Sequence, residues 1–125
     1  MLRRLVVTTM ACLAAGCGSS DPAPSPPSPS VAGSTVTITS SGVSPKNLLV
    51  SPGTQVTFVN SDSRNHEMAS DPHPEHTDCQ AINTVDLVVP GQSKQTSNLN
   101  IVRTCGFHDH QNPEIAALRG TITIQ

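Results

Sequence analysis

The chain has 125 residues, enough for one small domain but too few for two hydrophobic cores. Two Phe, no Trp and no Tyr leave Val, Ile and Leu to build the core, which favours β-strands, and eleven Pro with eight Gly argue against long helices. The formal charge of −2, without a basic patch, argues against nucleic acid as a partner.

Residues 1–16 have the features of an export signal. Arg3 and Arg4 precede an apolar run that is too short to span a bilayer. The run ends in Leu-Ala-Ala-Gly-Cys17, which resembles the bacterial lipobox, in which the cysteine is acylated and becomes the first residue. The resemblance implies lipidation at Cys17 and an extracytoplasmic protein that is lipid-anchored to a bacterial membrane, in the periplasm or on the cell surface. An ordinary secretory signal with a chance cysteine is the alternative.

Residues 17–33 are predicted to form a tether between the lipid and the folded domain. Pro and Ser dominate this segment, and it contains little that could be buried. In the polyproline conformation, at ~3 Å per residue, it would hold a domain a few tens of ångströms from the membrane. Without the signal, five Lys and Arg oppose nine Asp and Glu, a formal net charge of −4. The folded domain is predicted over residues 34–125.

Several short segments of that domain alternate β-branched and polar residues, as strands do. They are residues 35–40, 47–51, 54–60, 85–89, a segment within 97–104, and 120–125. With Pro-Gly turns at Pro52-Gly53 and Pro90-Gly91, the pattern predicts an antiparallel sandwich or barrel. Residues 61–83 are polar and rich in His, Asp and Pro, and we expect a long loop of this kind to be functional.

The chemistry of the chain is concentrated in its histidines and in two cysteines. All five histidines lie in two short regions: His66, His73 and His76 in the first, and His108 and His110 in the second. Export leaves Cys79 and Cys105 in an oxidising compartment, which permits a disulfide. Imidazole and thiolate donors suit copper and zinc. Cys105 is therefore either a metal thiolate or half of a disulfide with Cys79, which would contribute about 3 kcal/mol of stability in the chain-entropy model.

Two further stretches carry a recognisable pattern. The first runs from Val43 to Asp62, contains Ser51-Pro-Gly-Thr-Gln-Val-Thr-Phe-Val-Asn60, and is followed by Asn65-His66. The second is Cys105-Gly-Phe-His108, close to the final strand, with Val89-Pro-Gly-Gln-Ser as the turn that precedes the strand leading to the cysteine. Both stretches resemble the cupredoxin family, and in particular its plastocyanin-like members. The resemblance covers residues 35–125 and implies an all-β fold, a single-domain Greek-key β-sandwich of the cupredoxin type.

The resemblance also implies a copper site of type 1 or a variant of it, with one ion. Its equatorial ligands would be His66, Cys105 and His108, two imidazoles and a thiolate in a trigonal plane. His110 is an alternative to His108 as an equatorial ligand.

The axial ligand and the role of the His-rich insertion are left open by the resemblance. The plastocyanin-like pattern has a methionine shortly after the second histidine, and this sequence has none there. Met68, His110, Glu114 or a backbone carbonyl are the candidate axial donors. The insertion from Glu67 to Cys79 is not part of the family pattern, and its His73 and His76 are candidates for additional copper ligands or for a lid.

The implied function is one-electron transfer through bound copper, by a monomer that exchanges electrons with redox partner proteins at the membrane and is not an enzyme. The alternative is a copper storage or delivery module, in which Cys79 bonds Cys105 and the histidines supply a site without thiolate. A third interpretation is a domain of the same shape that binds no metal and serves adhesion or assembly.

Overall fold

The computed structural model describes residues 30–125, together with Gly18, Pro22 and Ala23. The predicted signal over residues 1–16, the lipidation site Cys17 and most of the predicted tether lie outside the described residues. Within the described part of the chain, none of the helices has the length and apolar character needed to cross a membrane.

The described residues form strands that alternate buried and exposed side chains, as in Thr35–Thr39, where Val36 and Ile38 are buried. In chain order the strands are β1 (Val31–Ala32), β2 (Thr35–Thr39), β3 (Gly42–Ser44), β4 (Asn47–Val50), β5 (Thr57–Asn60), β6 (His66–Ser70), β7 (Asp86–Val88), β8 (Ser93–Gln95), β9 (Arg103–Asp109) and β10 (Arg119–Ile124). Two short 3-10 helices, Ile82–Thr84 and Ala116–Leu118, precede β7 and β10. β1 lies inside the predicted tether, so strand pairing begins before residue 34.

The strands form two sheets, with the orders β1-β4-β10-β9-β6-β7 and β3-β2-β5-β8. The predicted all-β sandwich is confirmed, but the expectation of purely antiparallel pairing is wrong, because β1–β4, β4–β10 and β2–β5 are parallel pairs. The two Pro-Gly turns explain the difference. The turn at Pro52-Gly53 joins β4 to β5 and the turn at Pro90-Gly91 joins β7 to β8, so each turn crosses from one sheet to the other instead of closing a hairpin.

The polar segment 61–83 is not a continuous loop, contrary to the prediction. Its residues 66–70 form β6, which pairs antiparallel with β7 and with β9. The alternation is present but is hidden by polar residues, because His66, Met68 and Ser70 face the interior. The part of the predicted loop that follows β6, residues 71–81, packs on the larger sheet through contacts with Gly106 of β9.

The side chains of strand β9 alternate between the core and the outer face of the larger sheet. The ring of Phe107 packs edge to face against Phe58 of the smaller sheet, with 5.2 Å between ring centroids, so Phe107 points into the sandwich. Successive side chains of a strand point to opposite faces, which places Cys105 and Asp109 on the interior side with Phe107. Gly106 and His108 therefore lie on the outer face of the larger sheet, beneath the loop of residues 71–81.

Candidate metal centre

Four histidines meet on the outer face of the larger sheet: His73, His76, His108 and His110. One ring nitrogen from each lies within 4.8 Å of those of the other three. His108 is on β9, and His110 follows at the turn after β9, where its main-chain N–H donates to the carbonyl of Glu67 on β6 at 2.6 Å. The other two histidines come from the loop of residues 71–81. We call these four residues the four-histidine cluster.

The loop that carries two of these histidines is fixed to β9 at both of its ends. The main-chain N–H of Asp71 donates to the carbonyl of Gly106 at 3.0 Å. At the other end, the carboxylate of Asp78 accepts the N–H of the same glycine at 2.8 Å, and Cys79 forms a disulfide with Cys105. The loop also closes on itself, because the N–H of Asp78 donates to the carbonyl of Asp71 at 2.8 Å. The backbone of His76 is thereby held over the strand that carries His108.

His108 is the most enclosed member of the cluster, with 1% of its surface exposed. Its Nδ1 lies 2.6 Å from Oδ1 of Asp71, and its Nε2 is buried without a hydrogen-bond partner among the described residues. A buried polar atom without a partner is costly, so it calls for an explanation. Because a carboxylate oxygen only accepts hydrogen bonds, Nδ1 carries a proton, and in the neutral ring the lone pair that can bind a metal ion is then on Nε2.

The other three members of the cluster differ in exposure. His76 and His110 are partly buried, with 3.1 Å between Nε2 of His76 and Nδ1 of His110. Burial, followed by the neighbouring imidazoles of His110, His108 and His73, lowers the pKa of His76, which favours its neutral, metal-binding form. His73 is exposed, and its ring centroid lies 4.9 Å from that of His110.

The donor set fits a borderline metal ion. Imidazole nitrogens bind such ions at about 2.0–2.1 Å, which puts the nitrogens of a tetrahedral site about 3.3 Å apart. The four ligand atoms, which lie within 4.8 Å of one another, are farther apart than this, so binding an ion would draw the four rings together. Four imidazoles without a carboxylate ligand suit copper or zinc and do not suit calcium or magnesium.

The structure does not bring together the predicted ligands His66, Cys105 and His108. Cys105 is fully buried and bonded to Cys79, with 5.7 Å between the Cα atoms, so it has no thiolate to offer. The segment interpreted as a ligand loop is the strand β9, and residues three apart on a strand face opposite sides. The sulfur of Cys105 and the ring of His108 are therefore separated by the sheet itself, and this corrects the predicted trigonal arrangement.

His66 lies on the interior side, away from the four-histidine cluster, and is fully buried. Its Nδ1 is 3.0 Å from Oδ2 of Asp109 and its Nε2 is 3.0 Å from Oδ2 of Asp62. Each ring nitrogen of His66 therefore faces a carboxylate oxygen, on the opposite side of the sheet from the four-histidine cluster. His66 is a structural link between β6, the turn before it and the end of β9.

The remaining predicted donors are divided between the core, the surface and the cluster. Met68 is 1% exposed and belongs to the hydrophobic core, and Glu114 is exposed at the surface. His73, His76 and His110, predicted as additional ligands, are in the cluster.

Sequence reasoning missed three aspartates that contact histidines, Asp62, Asp71 and Asp109. The available signal was proximity in sequence. Asp109 stands between two histidines and Asp71 two residues before another, but acids beside histidines are common on solvated loops, and the pattern alone does not single them out.

The comparisons with known proteins concern the fold. No family model and no curated protein matches this sequence. Among solved structures, a purple cupredoxin from Nitrosopumilus maritimus is 16% identical, covers 74% of this chain and 100% of its own, and superposes with a TM-score of 0.55. Plastocyanin from Dryopteris crassirhizoma is 18% identical over 73% of this chain and 99% of its own, with a TM-score of 0.56. A reduced amicyanin variant is 16% identical over 73% of this chain and 80% of its own, with a TM-score of 0.56. The chain therefore has a cupredoxin-like β-sandwich fold.

Proposed function

We propose that this protein is a copper-binding electron-transfer protein whose copper is held by the four-histidine cluster. The observation that carries the proposal is the convergence of four ring nitrogens within 4.8 Å, one of which, Nε2 of His108, is buried and has no partner among the described residues. An unpartnered nitrogen at the base of an imidazole cluster is what a metal site needs.

Copper is the preferred ion for two reasons. In the usual order of affinities among divalent first-row metals, copper binds nitrogen donors more tightly than zinc. The structural neighbours include an oxidised plastocyanin and an amicyanin variant in a reduced Cu(I) form, which supports a redox-active copper ion on a fold of this kind. When bound, copper supplies a one-electron redox couple. The chain's own part is to hold His108 and His110 on a sheet, to shield one side of the site with residues 71–81, and to leave His73 exposed towards a partner protein.

Copper storage or delivery is a second candidate, favoured by a specific observation. The disulfide removes the thiolate of Cys105 from the available donors, and the exposed imidazole of His73 is accessible to a competing ligand. A site made of imidazoles alone, with one ligand at the surface, is suited to releasing its ion to another protein.

The first test is a Cu(II) titration of the full-length exported protein. We expect one ion per chain, nitrogen hyperfine structure in the electron paramagnetic resonance spectrum, and only weak visible absorption, because no sulfur is available for charge transfer. The double variant His76→Ala/His110→Ala should lose this binding. Glu75→Ala, which changes an exposed residue on the same loop, is the matched control and should bind as the wild type does. Absence of copper binding by the wild type would refute the proposal.

A second measurement separates the two functions. The copper-loaded protein is reduced and reoxidised repeatedly in the presence of a Cu(I) chelator. A carrier of electrons keeps its ion through every cycle. Transfer of Cu(I) to the chelator at the first reduction would refute electron transfer and favour storage or delivery.

Anchoring to the extracytoplasmic side of a bacterial membrane through Cys17 is also part of the proposal, and the lipobox-like sequence supports it. Cys17→Ser should move the protein from the membrane fraction to the soluble extracytoplasmic fraction. Retention of that variant in the membrane would contradict lipidation at this position.

A further inference from the structure

The carboxylate of Asp71 lies between two side chains that project from neighbouring strands. Its Oδ1 is 2.6 Å from Nδ1 of His108 on β9, and its Oδ2 is 3.6 Å from Nη2 of Arg119 on β10. His108 and Arg119 are register partners in the β9–β10 pair, so both lie on the outer face of the sheet. The carboxylate is thus held by an imidazole on one side and by a guanidinium on the other.

The absence of a side chain at position 106 permits this placement. A Cβ at Gly106 would overlap Oδ2 of Asp71 and would lie 2.9 Å from its Cγ, closer than real Cβ atoms approach other heavy atoms. The main chain adds a second constraint, because the N–H of Asp71 donates to the carbonyl of Gly106 at 3.0 Å. The glycine therefore allows the carboxylate to lie flat against β9 beside the ring of His108.

The hydrogen bond to Asp71 decides which nitrogen of His108 is available. With Nδ1 donating to the carboxylate, the lone pair is on Nε2, which is buried and has no partner among the described residues. A carboxylate that accepts from one ring nitrogen fixes the ring orientation and raises the basicity of the other nitrogen. Without Asp71, the proton of a neutral ring could move to Nε2 and the ring could rotate.

We infer that Asp71 is a positioning residue of the four-histidine cluster, which holds His108 in the tautomer and orientation that present Nε2 to the metal ion. The inference rests on the proposed copper site. Asp71 would not contact the metal ion itself, but it would set how strongly His108, the most enclosed ligand, binds the ion.

The experiment compares Asp71→Ala and Asp71→Asn with a matched control, Glu75→Gln. Glu75 is an acidic residue on the same loop, and its side chain is exposed. Two quantities are measured on each full-length variant: the Cu(II) affinity by competition with a chelator, and the tautomer of His108 in the metal-free protein from the nitrogen chemical shifts of its ring.

We expect Asp71→Ala to lower the Cu(II) affinity by about 10- to 100-fold, the range found when an outer carboxylate of a metal-bound histidine is removed. In the metal-free protein it should also populate the other tautomer of His108. Asp71→Asn keeps an acceptor oxygen without the charge, so its affinity should fall between those of Asp71→Ala and the wild type. Glu75→Gln should match the wild type in both measurements.

Gly106→Ala gives an independent test that leaves every polar group in place. The added methyl group should displace the carboxylate and reproduce the tautomer change and the loss of affinity of Asp71→Ala. If Asp71→Ala retains the wild-type tautomer and affinity, the inference is wrong although the proposed function stands. If the wild-type protein itself binds no copper, the proposed function fails, and the tautomer measurement still shows whether Asp71 orients His108.

Discussion

At the scale of single residues, alternation along β9 separates a structural role from a functional one. Cys105, Phe107 and Asp109 face the interior, where they form a disulfide, an aromatic contact and a hydrogen-bonded carboxylate. His108, between two of these residues, faces outward and joins the four-histidine cluster. Cys105 and His108 are close in sequence, but the first forms a structural disulfide and the second belongs to the four-histidine cluster on the opposite side of the sheet.

His66 is expected to stabilise the fold without binding copper. Replacing it with Ala would leave the buried carboxylate of Asp109 without one of its hydrogen-bond donors. Removing one partner of a buried pair typically costs about 3–5 kcal/mol, so His66→Ala should lower the free energy of unfolding by about 3 kcal/mol. Urea denaturation measures this loss, and a Cu(II) titration below the denaturation midpoint should still give one ion per chain.

The opposite result would make His66 a copper ligand. If His66→Ala lost copper binding while it kept its secondary structure, His66 would bind the ion directly, and the arrangement in which both of its ring nitrogens face carboxylates would not be the copper-bound one.

The members of the cluster should contribute unequally to affinity. His108 is already held in place, whereas exposed His73 has to lose its side-chain freedom on binding, which costs about 0.5–1.5 kcal/mol. His108→Ala should therefore weaken Cu(II) binding about 100-fold or more, and His73→Ala about tenfold, since 1.4 kcal/mol corresponds to a factor of ten. Competition titrations and dissociation rates measure the two effects, and equal losses would contradict the difference in preorganisation.

At the scale of elements, the disulfide fastens the histidine loop to the strand beneath it. Cys79 ends the segment that carries His73 and His76, and Cys105 is three residues before His108 on β9. The double variant Cys79→Ala/Cys105→Ala should lose about 3 kcal/mol of stability in the chain-entropy model and should bind copper more weakly, because the two halves of the cluster are no longer linked. Denaturation curves and copper competition, each compared with the wild type, measure these losses.

The state of the two cysteines in the exported protein gives a direct check of this interpretation. Alkylation under denaturing conditions, followed by peptide mapping, should recover the peptides of Cys79 and Cys105 joined to each other. Two alkylated thiols at these positions in the copper-bound protein would contradict the disulfide and would make Cys105 available as a ligand.

Local alternation was enough to predict several elements but not their partners. The segments around β2, β4, β5 and β10 could be recognised because Val, Ile, Leu and Phe occupy alternate positions and face the core. β6 could not, because its inward residues include His66 and Ser70, whose hydrogen-bond partners Asp109 and Asn83 come from later segments of the chain. The parallel pairs were missed because sequence does not state which turns cross between sheets.

The candidate site was predictable in composition but not in geometry. Clustered imidazoles indicated a copper or zinc site, and the histidines of the cluster had all been candidate ligands. Their separation from His66 depends on the strand conformation of β9 and on the pairing of β6 with β9, and both are long-range features. The family pattern placed Cys105 and His108 in one loop, whereas hydrogen bonding to β10 extends the strand through both residues.

At the scale of the whole molecule, the larger sheet lies between a buried polar link and the four-histidine cluster. Behind the sheet, Asp62 and Asp109 bracket His66. Burial tends to raise the pKa of Asp62, but hydrogen bonds from His66, Ser63 and Arg64 outweigh it and lower that pKa. The pKa of Asp109 is lowered in the same way, with burial opposed by donors that include Glu67 and Asn112. The ionised form of each carboxylate is therefore stabilised by folding.

Stability should consequently fall in acid in a way that can be traced to Asp62. A carboxylate whose pKa is lower in the folded state stabilises the fold above its unfolded pKa, about 3.9 for Asp, and this contribution is lost as the pH falls through the folded pKa. In that window the unfolded chain binds more protons, so the free energy of unfolding increases with pH. We expect urea denaturation of the metal-free protein, repeated at intervals between about pH 6 and pH 3, to show this slope.

Asp62→Asn should be less stable at neutral pH and should have a shallower slope, because one of the two carboxylates no longer titrates. Glu114→Gln removes an exposed carboxylate and serves as the control, with the wild-type slope retained. An unchanged slope in Asp62→Asn would mean that the link behind the sheet does not govern acid unfolding, since the remaining acids would then account for all of the proton uptake.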